Sequence, residues 1–264
     1  MRTLRRYIGL YKAYFRANLL SLMSYRLDFI IRNTCNLILI LASLGVVGLV
    51  YENVESIKGW RFEQVLVIYA LTSMSRSLFH LFCINVVSIG TYVRQGDLDR
   101  ILLRPVNPLF QLVADYLDND DWGELVLGIG LLAYSFRQAG LPLDFRTVLW
   151  VLVIAVCGSA IYFAIHLAFS TSGFWIVQNK PIEQMAWELD RFTTYPVTVY
   201  APALRFVLTW LIPLGFVAFY PAECLVVDRP SGLGFLTPAV AAVSLAAAYR
   251  LWLYGLSKYQ GTGS

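Results

Sequence analysis

The sequence predicts an all-α polytopic membrane protein: six transmembrane helices, an N-terminal interfacial helix, and a short cytoplasmic helix between the second and third spans. Three observations carry this reading. Hydrophobic residues make up 58% of 264 and charged residues only 14%, with a mean hydropathy of +0.61, far more apolar than a soluble domain of this length. The apolar residues gather in runs near the ~20 needed to cross hydrocarbon. Lys and Arg are shared unequally among the segments between those runs.

The first element covers 1–26. Leu4, Ile8, Tyr11, Phe15, Leu19 and Leu22 recur at steps of three or four, with Arg5, Lys12 and Arg16 off that stripe. This is the pattern of a helix lying along a membrane surface; a soluble helix bound to a partner is the alternative. Asp28 stands four residues before Arg32, a spacing that pairs them on a helix. The expected spans are Leu27 to Leu49, Val65 to Tyr92, Trp122 to Phe136, Val148 to Phe174, Leu204 to Tyr220 and Phe235 to Leu256. Six spans place both termini on one side.

With the N-terminus cytoplasmic, Arg2, Arg5, Arg6, Lys12, Arg16, Arg26, Arg94, Arg100, Arg104, Lys180, Arg191 and Lys258 are inside, against Lys58, Arg61, Arg137, Arg146 and Arg229 outside. Twelve against five favours that orientation, and the net charge of +4 then reflects topology rather than nucleic-acid binding. The first sustained apolar run begins near Leu37, beyond the reach of a cleavable signal peptide. Cys35, Cys83, Cys157 and Cys224 form no C-x-x-C pair, so they read as packing residues and not as zinc ligands or a disulfide framework.

The segments expected between spans, 93–121 and 175–203 inside and 50–64, 137–147 and 221–234 outside, leave no room for a soluble catalytic domain. No Gly-Lys dipeptide occurs, so the phosphate-cradling G-x-x-x-x-G-K-[ST] loop is absent. There is likewise no H-E-x-x-H and no G-x-S-x-G, which weakens a membrane-embedded enzyme.

Within 95–108, Asp97 can cap a helix, Leu98, Ile101 and Leu102 share one face, and Pro105 with Pro108 ends it. The acidic group Asp115, Asp118, Asp120, Asp121 and Glu124 lacks calcium-loop spacing. It reads better as helix-start chemistry, with Asp120 or Asp121 capping the third span. In the second span Ser73, Arg76 and His80 fall on one face, with Asn85 nearby. An intramembrane Arg is costly, so this face meets either another helix or the transport path. His166 reads as a packing residue.

Pro213 and Gly215 interrupt the fifth span, and the 209–228 region suits a bent helix with a re-entrant turn. Glu223 there stands either at an exit gate or in ordinary helix-start chemistry, with Pro221 near N1. The loop Lys180 to Arg205 reads as an amphipathic cytoplasmic connector with a break at Tyr195-Pro196, or as a second partner contact.

The run GDLDRILLRPVNPLFQ, Gly96 to Gln111, resembles the signature of type-2 ABC exporter permeases, in the ABC-2 family transporter subgroup associated with drugs and organic cations such as viologens. DYLDNDDWGELVLGIGLLAY (Asp115 to Tyr134), the stretch Tyr195 to Pro221 opening YPVTVY, and the tail Tyr259 to Ser264 resemble the same subgroup. The resemblance implies a single transmembrane domain over 1–264 that pairs with a second permease, identical or related, and with two separate ATP-binding subunits. Those partners would hold ATP and magnesium; no cofactor, metal, catalytic residue or nucleic acid is expected in this chain, whose other contacts are membrane lipids.

The resemblance further implies a multi-pass protein of the cell membrane in which 95–108 is a coupling helix. Leu98, Ile101 and Leu102 would be its buried anchors, Arg100 and Arg104 its rim, and Asp97 and Pro105 its limits. Ser73, Arg76, His80, Asn85 and Glu223 are the candidates for the path. An autonomous carrier or channel using Arg76 and Glu223 stays open beside the exporter.

Overall fold

A computed structural model describes residues 2–24, 26–116, 118, 120–227 and 230–260, except the side chains of 2–4 and 21–24. The side chains of Leu4 and Leu22, Arg229, and 261–264 of the tail therefore lie outside the described residues. Among those described, the chain is helical with no strand. Helix α1 is Arg2–Ser24, α2 Arg26–Glu52, α3 Phe62–Cys83, α4 Ile89–Gln95, α5 Asp97–Leu102 and α6 Pro108–Asp115. They are followed by α7 Trp122–Gln138, α8 Phe145–Thr171, α9 Lys180–Asp190, α10 Pro202–Phe206, α11 Phe219–Val226 and α12 Thr237–Lys258.

Among the described residues, four helices are long and apolar enough to cross a membrane: Arg26–Glu52, Phe62–Gln95, Phe145–Phe174 and Leu233–Lys258. A fifth passes only as the pair Pro202–Leu211 and Leu214–Val226, bent by 75°. The expected count of six is thus not reached on length and composition. Helix α7 has 17 residues, about 25 Å at 1.5 Å per residue, the short limit for a span.

The centre of the fold is α3, whose residues from Val65 to Ser75 are all buried. Helices α7 and α8 pack on it and α12 packs on α8. Helix α2 is the opposite case, with Leu27, Ile31, Leu39, Val46 and Leu49 all exposed. A helix apolar on every side and exposed on most of them has lipid as its natural neighbour.

Glycine decides one crossing. A Cβ on Gly90 of α4 would lie 2.2 Å from Asn179 Oδ1, and one on Gly173 would lie 2.5 Å from the Gly90 Cα. The backbones after α8 and within α4 are therefore in contact, with the Asn179 amide filling the gap. Gly90→Ala is expected to destabilise the protein by about 1–3 kcal/mol through overpacking, read as a lower melting temperature in detergent. Gly130→Ala, with nothing within 4 Å of the new methyl, should not lower it.

The segment after α8 departs from expectation. Asn179 sits at Gly90. Trp187 lies 5.4 Å from the His80 ring and 4.5 Å from His166. Thr72 Oγ1 donates to the Thr193 carbonyl at 2.9 Å, Trp60 Nε1 to Thr198 Oγ1 at 2.9 Å, and Lys58 Nζ to the Val199 carbonyl at 3.4 Å. Lys180 to Tyr200 thus runs beside α4 and α3 from one end to the other. It is not a connector confined to one end, as its polar composition suggested.

The expected fifth span, Leu204 to Tyr220, folds back on itself. Arg205 donates to the Thr198 carbonyl at 2.9 Å, and Gln64 donates to the Val226 carbonyl at 3.0 Å. Trp60 packs against Phe219, with ring centroids 5.3 Å apart. Both ends of the bent pair therefore sit at the Trp60 end of α3. A π-helical stretch, Val207–Leu211, and Pro213 make the bend. Hydropathy registers this pair as one apolar run because composition carries no direction.

Candidate functional site

The short helix α5 opens on Gly96, whose φ of 76° is a left-handed conformation open to glycine. Gly96 is the N-cap and Asp97 the first helical residue, with no side-chain cap bond, so Asp97 does not cap as expected. Leu98 is 0% and Ile101 7% exposed, because α5 lies against α4 and α6. They are anchors within the chain and are not free for a partner. The surface instead offers Leu102 at 38% and Leu103 at 86% exposure, flanked by exposed Arg100, Arg104 and Pro105.

The loop after α5 is held from several directions. Asn107 accepts from the Phe110 N–H at 3.1 Å with Pro108 at N1, a built start for α6. Its own N–H donates to Tyr7 Oη at 3.1 Å and its Nδ2 to Tyr249 Oη at 3.2 Å. Arg104 donates to Tyr14 Oη at 3.2 Å, and Arg6 to the Pro105 carbonyl at 3.2 Å. Helices α1 and α12 both grip this loop.

The polar face of α3 is covered by α7. Arg76 Nε donates to Glu124 Oε1 at 3.1 Å, and Nη2 reaches the same oxygen. His80 Nδ1 pairs with Asp121 Oδ2, whose other oxygen accepts from Asn36 Nδ2 at 3.2 Å. Ser73 is buried where Gly128 of α7 approaches it. Asn85 is apart from these, donating to the Leu112 carbonyl within α6. Glu223 is at the far end, accepting from Ser231 Oγ.

Arg76 lies near the middle of the apolar stretch Phe62–Gln95 and meets the first turn of α7 there. Several expectations change here. Neither Asp120 nor Asp121 caps α7. Asp121 makes no side-chain cap bond, and Asp120 accepts from Arg32 at 3.3 Å while Arg32 also pairs with Asp28 at 2.9 Å. The capping acceptor is Asn33 of α2, taking the Gly123 N–H at 2.9 Å. Asp118 accepts from the Asp120 N–H. Burial pushes the Asp118 carboxyl above its ordinary range, with that hydrogen bond opposing. Pro221 and Glu223 do not start α11, which begins at Phe219.

His166 has a carboxylate partner that its sequence surroundings conceal: Nε2 lies 2.9 Å from Asp190 Oδ2, with side chains only 1% and 5% exposed. Phe79 stacks on the His166 ring at 4.8 Å. Tyr162 and Thr193 share a hydroxyl contact at 2.7 Å. These groups clamp the Lys180 to Tyr200 segment to α3 and α8. The sequence signals available were a buried-type His in α8 and an acid on the apolar side of α9, 24 residues apart.

Residues 37–263 match the family model described as ABC-2 family transporter protein. No curated protein and no solved structure matches the chain.

Proposed function

The chain belongs to the ABC-2 family of transporter proteins, and from that premise we propose that it is the permease subunit of an ATP-driven exporter. It pairs with a second permease, identical or related, and with two separate ATP-binding subunits that hold ATP and magnesium. The observation that carries this is α5: a short helix fixed from inside by Leu98 and Ile101 that presents Leu102 and Leu103 between Arg100 and Arg104. An apolar centre with a cationic rim is the anatomy of a docking surface.

On this reading ATP-driven closure of the partner subunits displaces α5, and α6 and α1 carry the displacement to the spans. Ser73, Arg76 and His80 hold α3 to α7 rather than touch solute. The chain lies in the cell membrane with both termini cytoplasmic, as the distribution of Lys and Arg favours. The solute is a drug, organic cation or amphiphile, which suits an aromatic content of 15%.

The test is reconstitution. The chain co-purified with its ATP-binding subunit should show solute-stimulated ATP hydrolysis and ATP-dependent transport in proteoliposomes. Transport by the chain alone, driven by an ion gradient, would replace this reading with that of an autonomous carrier.

A further inference from the structure

We propose that Arg5, Lys12 and Arg16 of α1 seat on anionic phospholipid headgroups of the cytoplasmic membrane surface, and that this contact, carried by Tyr7 and Tyr14, fixes the loop after α5. Its effect on ATP-driven work rests on the exporter reading. The lipid contact and its hold on the loop do not.

Helix α1 presents three stripes, each stepping by seven and then four residues, which keeps the members of a stripe on one face. Tyr7, Tyr14 and Asn18 form the stripe that meets the protein. The Asn107 N–H donates to Tyr7 Oη at 3.1 Å, Arg104 to Tyr14 Oη at 3.2 Å, and Asn18 Nδ2 to the Asp115 carbonyl at 3.4 Å. The Tyr7 ring meets Phe110 edge-on, with centroids 4.8 Å apart. All of these partners belong to the loop after α5 or to α6. Whatever holds α1 in place therefore holds that loop.

Ile8, Phe15 and Leu19 form the second stripe; Ile8 is 47% and Leu19 37% exposed, and Phe15 is half-buried. Arg5, Lys12 and Arg16 form the third, all exposed, about a sixth of a turn further round at 3.6 residues per turn. The helix carries no acid.

The order protein, apolar, cationic decides what surrounds the helix. A cytosolic protein seated on the cations would leave Ile8 and Leu19 in water, and hydrocarbon around the apolar stripe alone would strand the cations. The headgroup boundary suits both, with the cation stems along the acyl region and their charged ends at the phosphates. Lipid is at hand, because α2 begins two residues after α1 ends and exposes Leu27 and Ile31. Three cations with no acid select a surface of net negative charge, each contributing about fivefold to the association. A tie to a seated helix restrains the loop more than a tie to a mobile one, and by linkage a restrained loop favours the seated helix. Anionic lipid thereby acts as an allosteric ligand of the loop.

The experiment is hydrogen exchange, read by mass spectrometry, on the full chain in phosphatidylcholine nanodiscs with and without phosphatidylglycerol. Peptides covering 97–115 should exchange about fivefold or more slowly with phosphatidylglycerol, and the difference should shrink in ~1 M salt, where the screening length is ~3 Å. Peptides from the middle of α8 should not respond. Arg5→Gln with Lys12→Gln and Arg16→Gln should abolish the difference. Tyr7→Phe with Tyr14→Phe should abolish it at 97–115 while α1 itself stays protected by the anionic lipid. With the ATP-binding subunits added, phosphatidylglycerol should raise solute-stimulated ATP hydrolysis of the unsubstituted chain and not that of the triple variant.

A triple variant that keeps its lipid response overturns the cationic seat. Loop protection that survives loss of both tyrosine hydroxyls overturns the transmission. No lipid response, together with loss of the ATP-binding subunit from the triple variant in detergent, makes the stripe a protein contact and overturns the lipid surface. Lipid-dependent protection without ATP-dependent transport leaves this inference standing and removes the exporter reading; ATP-dependent transport without lipid-dependent protection does the reverse.

Discussion

Glu124→Ala is expected to be the most damaging single substitution in the chain, costing about 3–5 kcal/mol of stability because it leaves a charged partner without its counter-ion. Glu124 is 3% exposed at its side chain and receives Arg76, which is 23% exposed. Deleting the carboxylate strands a guanidinium between α3 and α7 without the acid that accepts both of its hydrogen bonds. The measurement is the melting temperature and folded yield of the purified protein. The double variant Arg76→Met with Glu124→Met should recover much of the loss, since neither charge then needs a partner. The Asp28–Arg32 pair supplies the contrast: both side chains are more than half exposed, so Asp28→Asn should cost less than about 1 kcal/mol. Equal losses at the two sites would show that burial does not set the cost.

The second large effect is on assembly. Leu103 is 86% exposed at the end of α5, and on the proposed docking Leu103→Asp should weaken association with the ATP-binding subunit by about 30-fold or more. That is the roughly 2 kcal/mol of a centrally placed anchor. The melting temperature of the isolated chain should not change. Leu98→Asp, at 0% exposure, should do the reverse and reduce folded protein before any partner is added, because it buries an unpaired charge. Association measured by pull-down and stability measured separately distinguish the two. Full association by Leu103→Asp would remove α5 from the docking surface.

These contrasts also mark where the sequence is readable. Local signals hold up: α2 and α8 follow from long apolar runs, and Asn107-Pro108 starts α6 where such a pair starts helices. The Asp28–Arg32 spacing becomes a real pair. What hydropathy and spacing do not carry is who meets whom across the fold. Arg76 and Glu124 are 48 residues apart and His166 and Asp190 are 24, and no local pattern announces either. The helix start at Trp122 had acids of its own, yet its cap comes from Asn33, 90 residues earlier. Lys180 to Tyr200 was unreadable as a long element for a related reason. Its polar residues look like a solvated loop until their partners on α3 and α8 are known. Leu204 to Tyr220 was misread in the opposite sense, being apolar enough to suggest a traverse although it returns to the end where it began.

The tyrosine hydroxyls around the loop after α5 have a mechanical consequence. Tyr7 and Tyr14 come from the first helix and Tyr249 from the last, and all three accept bonds from Arg104 or Asn107. Each is worth about 1 kcal/mol net, so a push on the loop either snaps three weak ties or tows α1 and α12 together. The loop is a shared fulcrum, and those two helices are its levers. Fluorophores placed on α1 and on the last turn of α12 would then register each stroke as a change in distance between them.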